Sequence, residues 1–285
     1  MNVLSIQSHV AYGYVGNCAA AFPLQRLGFD VWAVNTVQFS NHTGYGAWTG
    51  EVLSAGQIET LLDGIFERVS PAACDAVLSG YMGDAGLGSA ILGAVAKVRA
   101  ANPKALYACD PVMGDIGRGI FVRDGIPEFM REKAVPAADV ITPNQFELNL
   151  LTGVEIVALD DALRAARAAL ALGPRIVVVT SLRHAASRDD EIEMLAVTQD
   201  AAWRVATPLL PIDPAPNGAG DTVMALFLAN LLVGRGVEEA LGFTASAIFA
   251  VMAATLEAGT RELQLVAAQD AFADPPRRFS VERVA

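Results

Sequence analysis

The sequence predicts an α/β fold with a mostly parallel central sheet that is covered by helices on both faces. The first observation is that short apolar β-branched runs alternate with longer amphipathic stretches, a pattern typical of parallel strands joined by helices. The second is that 53% of the residues are hydrophobic, which is ample for a sizeable core. The third is that no Gly/Ser linker, repeat or charge block divides the chain, so we expect one domain over residues 1–285.

The predicted strands are short runs rich in Val, Ile and Leu that are bounded by polar residues or by turn residues. In chain order they are Val3–Gln7, Val31–Val37, Ala76–Ser79, Leu106–Cys109, Val140–Thr142, Ile176–Thr180, Ile192–Thr198 and Ala202–Ala206. The last two lie close together on either side of Asp200, so we expect them to form an antiparallel hairpin.

The predicted helices lie between these strands and after them. In chain order they are Gly16–Leu27, Ala55–Val69, Gly86–Ala101, Gln145–Leu151, Asp160–Leu172, Asp221–Val233, Val237–Leu256 and Leu263–Phe272. Ser54 with Gln57 three residues later is the pattern of a capping box, and Asp160 with Asp161 supplies acidic residues for a helix start. The last fifth of the chain is therefore predicted to be largely helical.

Composition limits the classes of partner. A net charge of -11 argues against nucleic acids and anionic membranes as partners, although a divalent cation can still hold a nucleotide in an acidic protein. The three cysteines are widely spaced without a C-x-x-C pair, which indicates reduced thiols. The N-terminus enters a strand pattern at once, and no apolar segment has the length of a membrane span, so we expect a cytoplasmic protein.

The strongest local signal is Gly218-Ala219-Gly220-Asp221, which leads into the apolar run 222–233. Backbone N–H groups that are free at a helix N-terminus form an anion site, and glycines let a phosphate approach them closely. A carboxylate at that point would repel a stored phosphate, but it suits a base that takes a proton from a hydroxyl attacking phosphorus. The alternative is a structural glycine turn that an aspartate caps.

Polar residues follow six of the predicted strands. In open parallel sheets ligands bind beyond the carboxyl ends of the strands, so these residues are expected to share one site. They lie in the segments 7–9, 38–46, 79–81, 110–115, 142–147 and 180–181. Asp110 and Glu147 are carboxylates suited to Mg²⁺, although either could instead cap a helix. His9 and His42 are interpreted as hydrogen-bonded scaffold residues.

Other phosphate and cofactor motifs are excluded. Residues 13–16 lack the G-x-G turn of a dinucleotide fingerprint, and the absence of any Gly-Lys pair excludes a Walker A motif. None of the lysines, Lys97, Lys104 and Lys133, lies at a strand end, which weighs against Schiff-base chemistry with pyridoxal phosphate as a cofactor. The glycine-rich segment 114–119 contains Arg118 and could flex over a reaction.

These motifs together resemble the ribokinase superfamily and, within it, the bacterial pyridoxal kinases of the PdxY type, nearly end to end. The motifs that match the wider superfamily are Asn144-x-x-Glu147 and Gly218–Asp221. The motifs that narrow the resemblance are Ser5–Val10, Asn35–Thr43, Ser79–Tyr81, Asp110–Gly114 and Glu262–Gln269. The resemblance implies a ribokinase-like three-layer sandwich.

The resemblance also implies an activity: the ATP-dependent phosphorylation of the 5′-hydroxymethyl of pyridoxal, with pyridoxine and pyridoxamine as further substrates. Ser8, Thr43, Gly44 and Tyr81 are then expected to bind the vitamer, with Asp221 as base and Gly218 and Gly220 at the transferring phosphoryl. The implied Mg-ATP set, with Asp110 and Glu147 on the metal, is Asp110, Thr142, Asn144, Glu147, Thr180, Ser181, Thr207, Pro208, Leu209 and Leu210. A homodimer is also implied.

The chain departs from the family pattern in two places. Thr180 stands where some members carry a lysine, so Arg118 or a monovalent cation such as K⁺ would have to balance the phosphate charge. The proline-rich segment 211–217 also differs, which leaves the adenine contacts open. Two other functions remain open as well: a hydroxymethylpyrimidine kinase of the same superfamily, and a carrier that binds vitamin B6 without turnover.

Overall fold

A ten-stranded sheet runs through the whole molecule in the computed structural model, which describes residues 1–285. The strands are β1 (Asn2–Tyr12), β2 (Asp30–Asn41), β3 (Gly50–Val52), β4 (Cys74–Ser79), β5 (Leu106–Cys109), β6 (Gly114–Asp115), β7 (Gly119–Ile120), β8 (Val140–Ile141), β9 (Ile176–Leu182), β10 (Glu191–Val197), β11 (Ala202–Pro208) and β12 (Val281–Arg283). Their order across the sheet is β12-β11-β10-β9-β8-β5-β4-β1-β2-β3, while β6 and β7 form a separate hairpin.

The centre of the sheet, from β2 through β1, β4, β5 and β8 to β9, is parallel throughout. Antiparallel strands close both sides, with β3 on β2 at one edge and β10, β11 and β12 beyond β9 at the other. The predicted hairpin on either side of Asp200 is the β10–β11 pair. The carboxyl ends of all the central strands therefore meet at one edge of the sheet.

Nine α-helices connect these strands. They are α1 (Asn17–Arg26), α2 (Ala55–Phe66), α3 (Gly88–Ala101), α4 (Ile126–Phe129), α5 (Val135–Ala137), α6 (Gln145–Thr152), α7 (Leu159–Leu170), α8 (Ala219–Leu232) and α9 (Val237–Ala258). The capping box predicted at Ser54 and Gln57 starts α2. A π-helical stretch, Met130–Ala134, joins α4 to α5.

Two hydrophobic cores lie on opposite faces of the sheet. The larger core contains buried side chains of α2, α3, α6 and α7, and the other is built on α1, α8 and α9. The three layers of the α/β sandwich are thus those expected from the alternating pattern.

Helix α9 is the one helix long and apolar enough to cross a membrane by length and composition. Within its 22 residues the most apolar window has a mean hydropathy of 1.6. Inside the fold, 56% of that window is buried. The helix packs against α8, β10 and β11, so it belongs to the second core.

The prediction of a helix over Leu263–Phe272 is wrong. Only a 3₁₀ turn forms there, at Gln269–Phe272. The backbone N–H of Gln264 donates to Thr255 Oγ1 at 3.0 Å, and Thr260 Oγ1 donates to the carbonyl of Glu262 at 2.8 Å. These two hydroxyl contacts fix the backbone of residues 262–264 outside a helix, and the segment continues through turns at 265–268 to the 3₁₀ turn.

Candidate active site

A cavity of about 420 Å³ opens at the carboxyl ends of the central strands, within the usual size of a small-ligand pocket. It brings together nearly all of the residues that the sequence predicts for the site. They are Ser8, Thr43, Tyr81, Asp110, Thr142, Asn144, Glu147, Thr180, Ser181, Thr207, Pro208, Leu209, Leu210, Gly218, Gly220 and Asp221. Gly44 does not line the cavity, although its neighbours His42 and Thr43 do.

The glycine turn before α8 is shaped by close backbone packing. Gly218 has φ 91°, and a Cβ at this position would lie 1.8 Å from the carbonyl oxygen of Tyr14. The helix begins at Ala219, so Asp221 lies in its first turn, as predicted. A Cβ on Gly220 would be 3.5 Å from Asp110 Oδ2, which places this turn directly against the Asp110 carboxylate. Free backbone N–H groups and a carboxylate therefore share the same corner of the cavity.

The Asp221 carboxylate is in a desolvated environment. Burial raises its pKa to about 6, although hydrogen bonds from the backbone N–H groups of Gly16 and of Asp221 itself act in the opposite direction. A carboxyl group with a pKa near neutrality can take up a proton during a reaction and release it afterwards, as a general base must.

Two further carboxylates, Asp110 and Glu147, are buried beside this corner. Burial, followed by the charges of Glu147 and Asp221, raises the pKa of Asp110 well above its usual range, and the Thr142 hydroxyl donates to Asp110 Oδ1 at 3.1 Å. Burial likewise raises the pKa of Glu147 to about 8, despite the N–H groups that donate to it. The three carboxyl groups repel one another in this buried corner, and a cation bound to Asp110 and Glu147 would reduce that repulsion.

Glu147 and Asn144 also form the capping box that starts α6. Asn144 Oδ1 accepts from the Glu147 N–H, and Glu147 Oε2 accepts from the Asn144 N–H, each at 2.9 Å. Glu147 Oε1 accepts from the N–H of Met113 at 2.9 Å. Glu147 therefore caps α6 and also contributes its carboxylate to the cavity.

The end of β9 carries the backbone outlier of the site. Ser181 has φ 51° and is the one non-glycine residue of the chain with positive φ. The pairing of β9 with β10 shifts register here, which is the pattern of a bulge, and the N–H of Thr180 donates to the Pro143 carbonyl at 2.9 Å. Backbone strain of this kind concentrates at functional sites, and Thr180 and Ser181 both line the cavity.

The titratable side chains that line the cavity are mostly acidic. Five acidic residues face one basic residue, Arg118, whose Nη1 donates to Asn217 Oδ1 at 3.2 Å. None of Asp110, Glu147 and Asp221 has a lysine or arginine within ion-pair distance. Carboxylate oxygens are ligands that Mg²⁺ prefers, and one or two of them are enough, so the pair Asp110 and Glu147 fits this ion.

The cavity also contains the residues expected to contact an aromatic substrate. The Ser8 hydroxyl packs under Gly16, where a Cβ would lie 2.3 Å from Ser8 Oγ. The backbone carbonyl of Tyr81 accepts from Thr36 Oγ1 at 2.9 Å, which fixes the strand end. Val37 and Phe39 complete an apolar wall beside Tyr81.

The wall that α9 contributes to the cavity could not be predicted from the sequence. Ile248, Phe249 and Met252 line the same cavity as Leu209, which the resemblance assigns to ATP binding. No motif marks these residues, because apolar side chains on an apolar helix give the same signal whether they face a core or a pocket. The side chain of Asn217, beside the glycine turn, was also missed.

Comparison with known proteins places the chain among small-molecule kinases. The family model described as phosphomethylpyrimidine kinase matches residues 32–265. The protein named pyridoxal kinase PdxY of Rubrobacter xylanophilus is 64% identical over 100% of this chain and 98% of its own. The protein of the same name from Deinococcus radiodurans is 55% identical over 99% and 96%.

Solved structures agree with these sequence relatives. Pyridoxal kinase from Leishmania donovani, in complex with ADP and pyridoxamine, has a TM-score of 0.92 at 32% identity and covers 100% of this chain and 99% of its own. The same enzyme in complex with ADP and pyridoxine has the same score and coverage. The chain is therefore an enzyme of the pyridoxal kinase family, of the PdxY type, with the ribokinase-like fold of that family.

Proposed function

We propose that this enzyme transfers the γ-phosphoryl group of ATP to the 5′-hydroxymethyl of pyridoxal, and also of pyridoxine and pyridoxamine. The observation that carries the proposal is the Asp221 carboxyl group, whose pKa burial raises to about 6 at the N-terminus of a glycine-initiated helix. Phosphoryl transfer requires positioning and charge neutralisation, and this arrangement supplies a base and an anion site together.

Asp221 takes the proton of the attacking 5′-hydroxyl. The N–H groups that follow Gly218 and Gly220 bind the transferring phosphoryl group, because they point outward at the helix start and carry partial positive charge. Ser8 and Thr43 meet the edge of the vitamer ring with their hydroxyls, and Tyr81 meets its face. Gly44 does not line the cavity but packs beside two residues that do, since a Cβ on it would lie 2.9 Å from His42 Nδ1 and from Asn217 Nδ2.

ATP occupies the other half of the cavity. Its base lies between Thr207–Leu210 and the α9 wall, and its phosphates extend past Thr180, Ser181, Thr142 and Asn144. Asp110 and Glu147 would hold Mg²⁺, which would neutralise phosphate charge. Arg118, which lines the cavity, or a monovalent cation such as K⁺ would balance the remaining charge where some relatives have a lysine in place of Thr180.

A hydroxymethylpyrimidine kinase is the second candidate function, and the phosphomethylpyrimidine kinase family model favours it. The full-length relatives named pyridoxal kinase favour the first candidate. A carrier without turnover would have no use for a desolvated carboxylate beside an anion site, so the geometry disfavours it.

We further propose that residues 1–285 form one kinase domain, since a single sheet spans the chain from β1 to β12. The enzyme acts in the cytoplasm on small molecules and assembles as a homodimer. Trp48, which is 46% exposed beside edge strand β3, supports an interface there. Sedimentation at micromolar concentration should give twice the 29.9 kDa chain mass, and a monomer would contradict the homodimer.

A coupled ADP-release assay tests the function. We expect turnover with pyridoxal, pyridoxine and pyridoxamine at kcat/KM values at least tenfold above that with hydroxymethylpyrimidine. The reverse order would establish the second candidate, and no ADP release with any of the four would support the carrier.

A further inference from the structure

The outer segment, by which we mean residues 277–283, packs across α9 and β11 but does not line the cavity. It ends in β12, which pairs antiparallel with β11. A Cβ on Gly242 of α9 would lie 2.7 Å from Val281 Cγ2, so the glycine leaves room for the strand against the helix. The N–H of Phe279 donates to Ser246 Oγ at 3.2 Å. The outer segment is therefore fixed to both elements.

Phe249 belongs to two faces of α9 at once. Gly242, Ser246 and Phe249 are spaced i, i+4, i+7, so they share the face that meets the outer segment. The residues of α9 that line the cavity are spaced i, i+3, i+4, i+7 and form the neighbouring face. They are Ala245, Ile248, Phe249 and Met252. The outer segment therefore reaches the α9 wall of the cavity at Phe249.

Two side chains of the outer segment hold the Phe249 ring. The rings of Phe279 and Phe249 meet edge to face, with centroids 4.9 Å apart and planes at 73°, which is a geometry that aromatic pairs prefer. The Arg277 guanidinium lies 4.5 Å from the centre of the Phe279 ring and 5.5 Å from that of Phe249. Residues outside the cavity thus restrict the orientation of a side chain that lines it.

Phe249 is also the aromatic residue in the half of the cavity that the proposed function gives to ATP. The other residues assigned to the base, Thr207–Leu210, Ile248 and Met252, have no aromatic ring. A purine base is flat, so an aromatic side chain can bind it by packing on its face or edge. A ring that is held in place before the base binds loses less side-chain freedom on binding, which favours affinity.

We propose that Phe279 and Arg277 are positioning residues for the nucleotide, because they fix the Phe249 ring against which the base of ATP packs. This proposal rests on the proposed function, since it places the base of ATP against the α9 wall. It gives the outer segment a role in ATP affinity and none in vitamer binding, because the residues assigned to the vitamer lie on other elements. Those residues are Ser8, Thr43 and Tyr81.

Phe279→Ala tests the aromatic contact. We expect the KM for ATP and the dissociation constant of Mg-ADP to rise about two- to tenfold, the range for one lost aromatic pair. The KM for pyridoxal, and kcat at saturating ATP, should stay within twofold of wild type. Phe279→Tyr keeps the ring and should restore the wild-type values. Calorimetric titration with Mg-ADP measures the affinity without any turnover.

The neighbouring arginines provide a matched pair of substitutions. Arg277→Ala should raise the KM for ATP about two- to fivefold, the range for an exposed cation–π contact. Arg278 lies 4.3 Å from the centre of the Phe243 ring, which does not line the cavity, so Arg278→Ala should leave the KM for ATP unchanged. Both substitutions remove one positive charge at adjacent positions. An equal rise in both would be an effect of charge and would overturn the proposal.

A double substitution tests whether Phe279 acts through Phe249. The KM for ATP of Phe249→Ala/Phe279→Ala should equal that of Phe249→Ala alone, because the contact that Phe279 supports is already lost. Additive effects of the two changes would overturn the proposal, and so would an unchanged KM for ATP in Phe279→Ala. A lower melting temperature with equal rises in the KM for ATP and the KM for pyridoxal would show a purely structural role and would also overturn it.

These outcomes differ from a failure of the proposed function. A wild-type enzyme that binds no Mg-ADP and phosphorylates no vitamer would refute the function on which the inference rests. A wild-type enzyme that phosphorylates pyridoxal, with the same KM for ATP as Phe279→Ala and Arg277→Ala, would refute the inference and leave the function intact.

Discussion

Asp221 shows how one position in the chain acquires a chemical role. Glycine at 218 allows the turn, the turn places the carboxylate in the first turn of α8, and burial raises its pKa to about 6. The N–H of Gly16 limits this rise, so the carboxylate stays ionised at neutral pH while remaining basic enough to accept a proton.

The pH dependence of kcat/KM should reveal this group. Because the base must be ionised and its pKa is raised to about 6, kcat/KM for pyridoxal should fall about tenfold per pH unit below pH 6. Initial rates between pH 4.5 and 8 measure this limb. An acidic limb centred near pH 4, the ordinary range of an aspartate, would contradict the assignment.

Asp110 and Glu147 should determine the magnesium requirement. Glu147→Gln and Asp110→Asn each remove a charge assigned to the cation, so we expect severalfold more Mg²⁺ for half-maximal rate and little change in pyridoxal KM. Titration of Mg²⁺ at saturating ATP measures this, with exposed Glu155→Gln as the control. A rise in pyridoxal KM alone would place the cation elsewhere.

Single residues with distinctive chemistry were the ones that the sequence could predict. The glycines, carboxylates and hydroxyls at strand ends nearly all line one cavity, because the carboxyl ends of parallel strands meet at one edge. Phe249 and Met252 could not be predicted, since an apolar residue carries no sign of facing a ligand rather than a core. The sequence showed Glu262 only as part of the segment Glu262–Gln269 that resembles the family. Its contacts could not be predicted, since the residues that it contacts lie about 220 positions or more away in the chain.

Among the elements, the turn that begins α8 depends most directly on its sequence. At Gly218 two constraints coincide, a φ of 91° and a Tyr14 carbonyl 1.8 Å from where a Cβ would lie. Gly234, at the other end of α8, has a φ of 88° but open space around it. Substitutions at Gly218 and Gly234 can therefore separate the effect of backbone strain from the effect of a steric clash.

Gly218→Ala should lower kcat at least a hundredfold, because the added Cβ displaces either the turn or the Tyr14 segment that packs on it. Gly234→Ala should lose stability from strain alone and retain most of its activity. Steady-state kinetics with melting temperatures of both variants test this. Equal loss of activity in the two would show that the turn geometry at α8 is not specific to phosphoryl binding.

Element boundaries were predicted less well than element types. Strands β1 and β2 continue to Tyr12 and Asn41, beyond the predicted ends at Gln7 and Val37, because they pair with each other past the covering helices. The segment after α9 has the apolar content of a helix, but side-chain hydroxyls bond its backbone instead. Such competition depends on residues that only the folded chain brings together.

At the scale of the whole molecule, the site reduces the stability of the ligand-free fold. Asp110 and Glu147 have raised pKa values, so the folded chain binds more protons than the unfolded chain between about pH 4 and 8. Their protonation favours folding at low pH, and this contribution is lost as pH rises toward 8. Binding of Mg-ATP should restore this lost stability, because the cation compensates the negative charge of the two carboxylates.

Asp110→Asn should therefore raise the melting temperature of the ligand-free protein at pH 8, while leaving it nearly unchanged at pH 5. A difference of roughly 2–4 °C corresponds to about 1 kcal/mol in a chain of this size. Thermal unfolding at the two pH values without Mg²⁺ measures the effect. A variant less stable than wild type at pH 8 would show that Asp110 contributes more to folding than its charge costs.

The most direct test of the central claim is the formation of the vitamer 5′-phosphate, followed by ³¹P NMR with pyridoxal and Mg-ATP, in wild type and in Asp221→Asn. We predict a phosphate ester from wild type in equal amount to ADP. Asp221→Asn should bind pyridoxal within severalfold of wild type but form the ester about 10²–10⁴-fold more slowly, the range for loss of a general base. ADP without ester in wild type, or more than half of the wild-type rate in Asp221→Asn, would contradict the account.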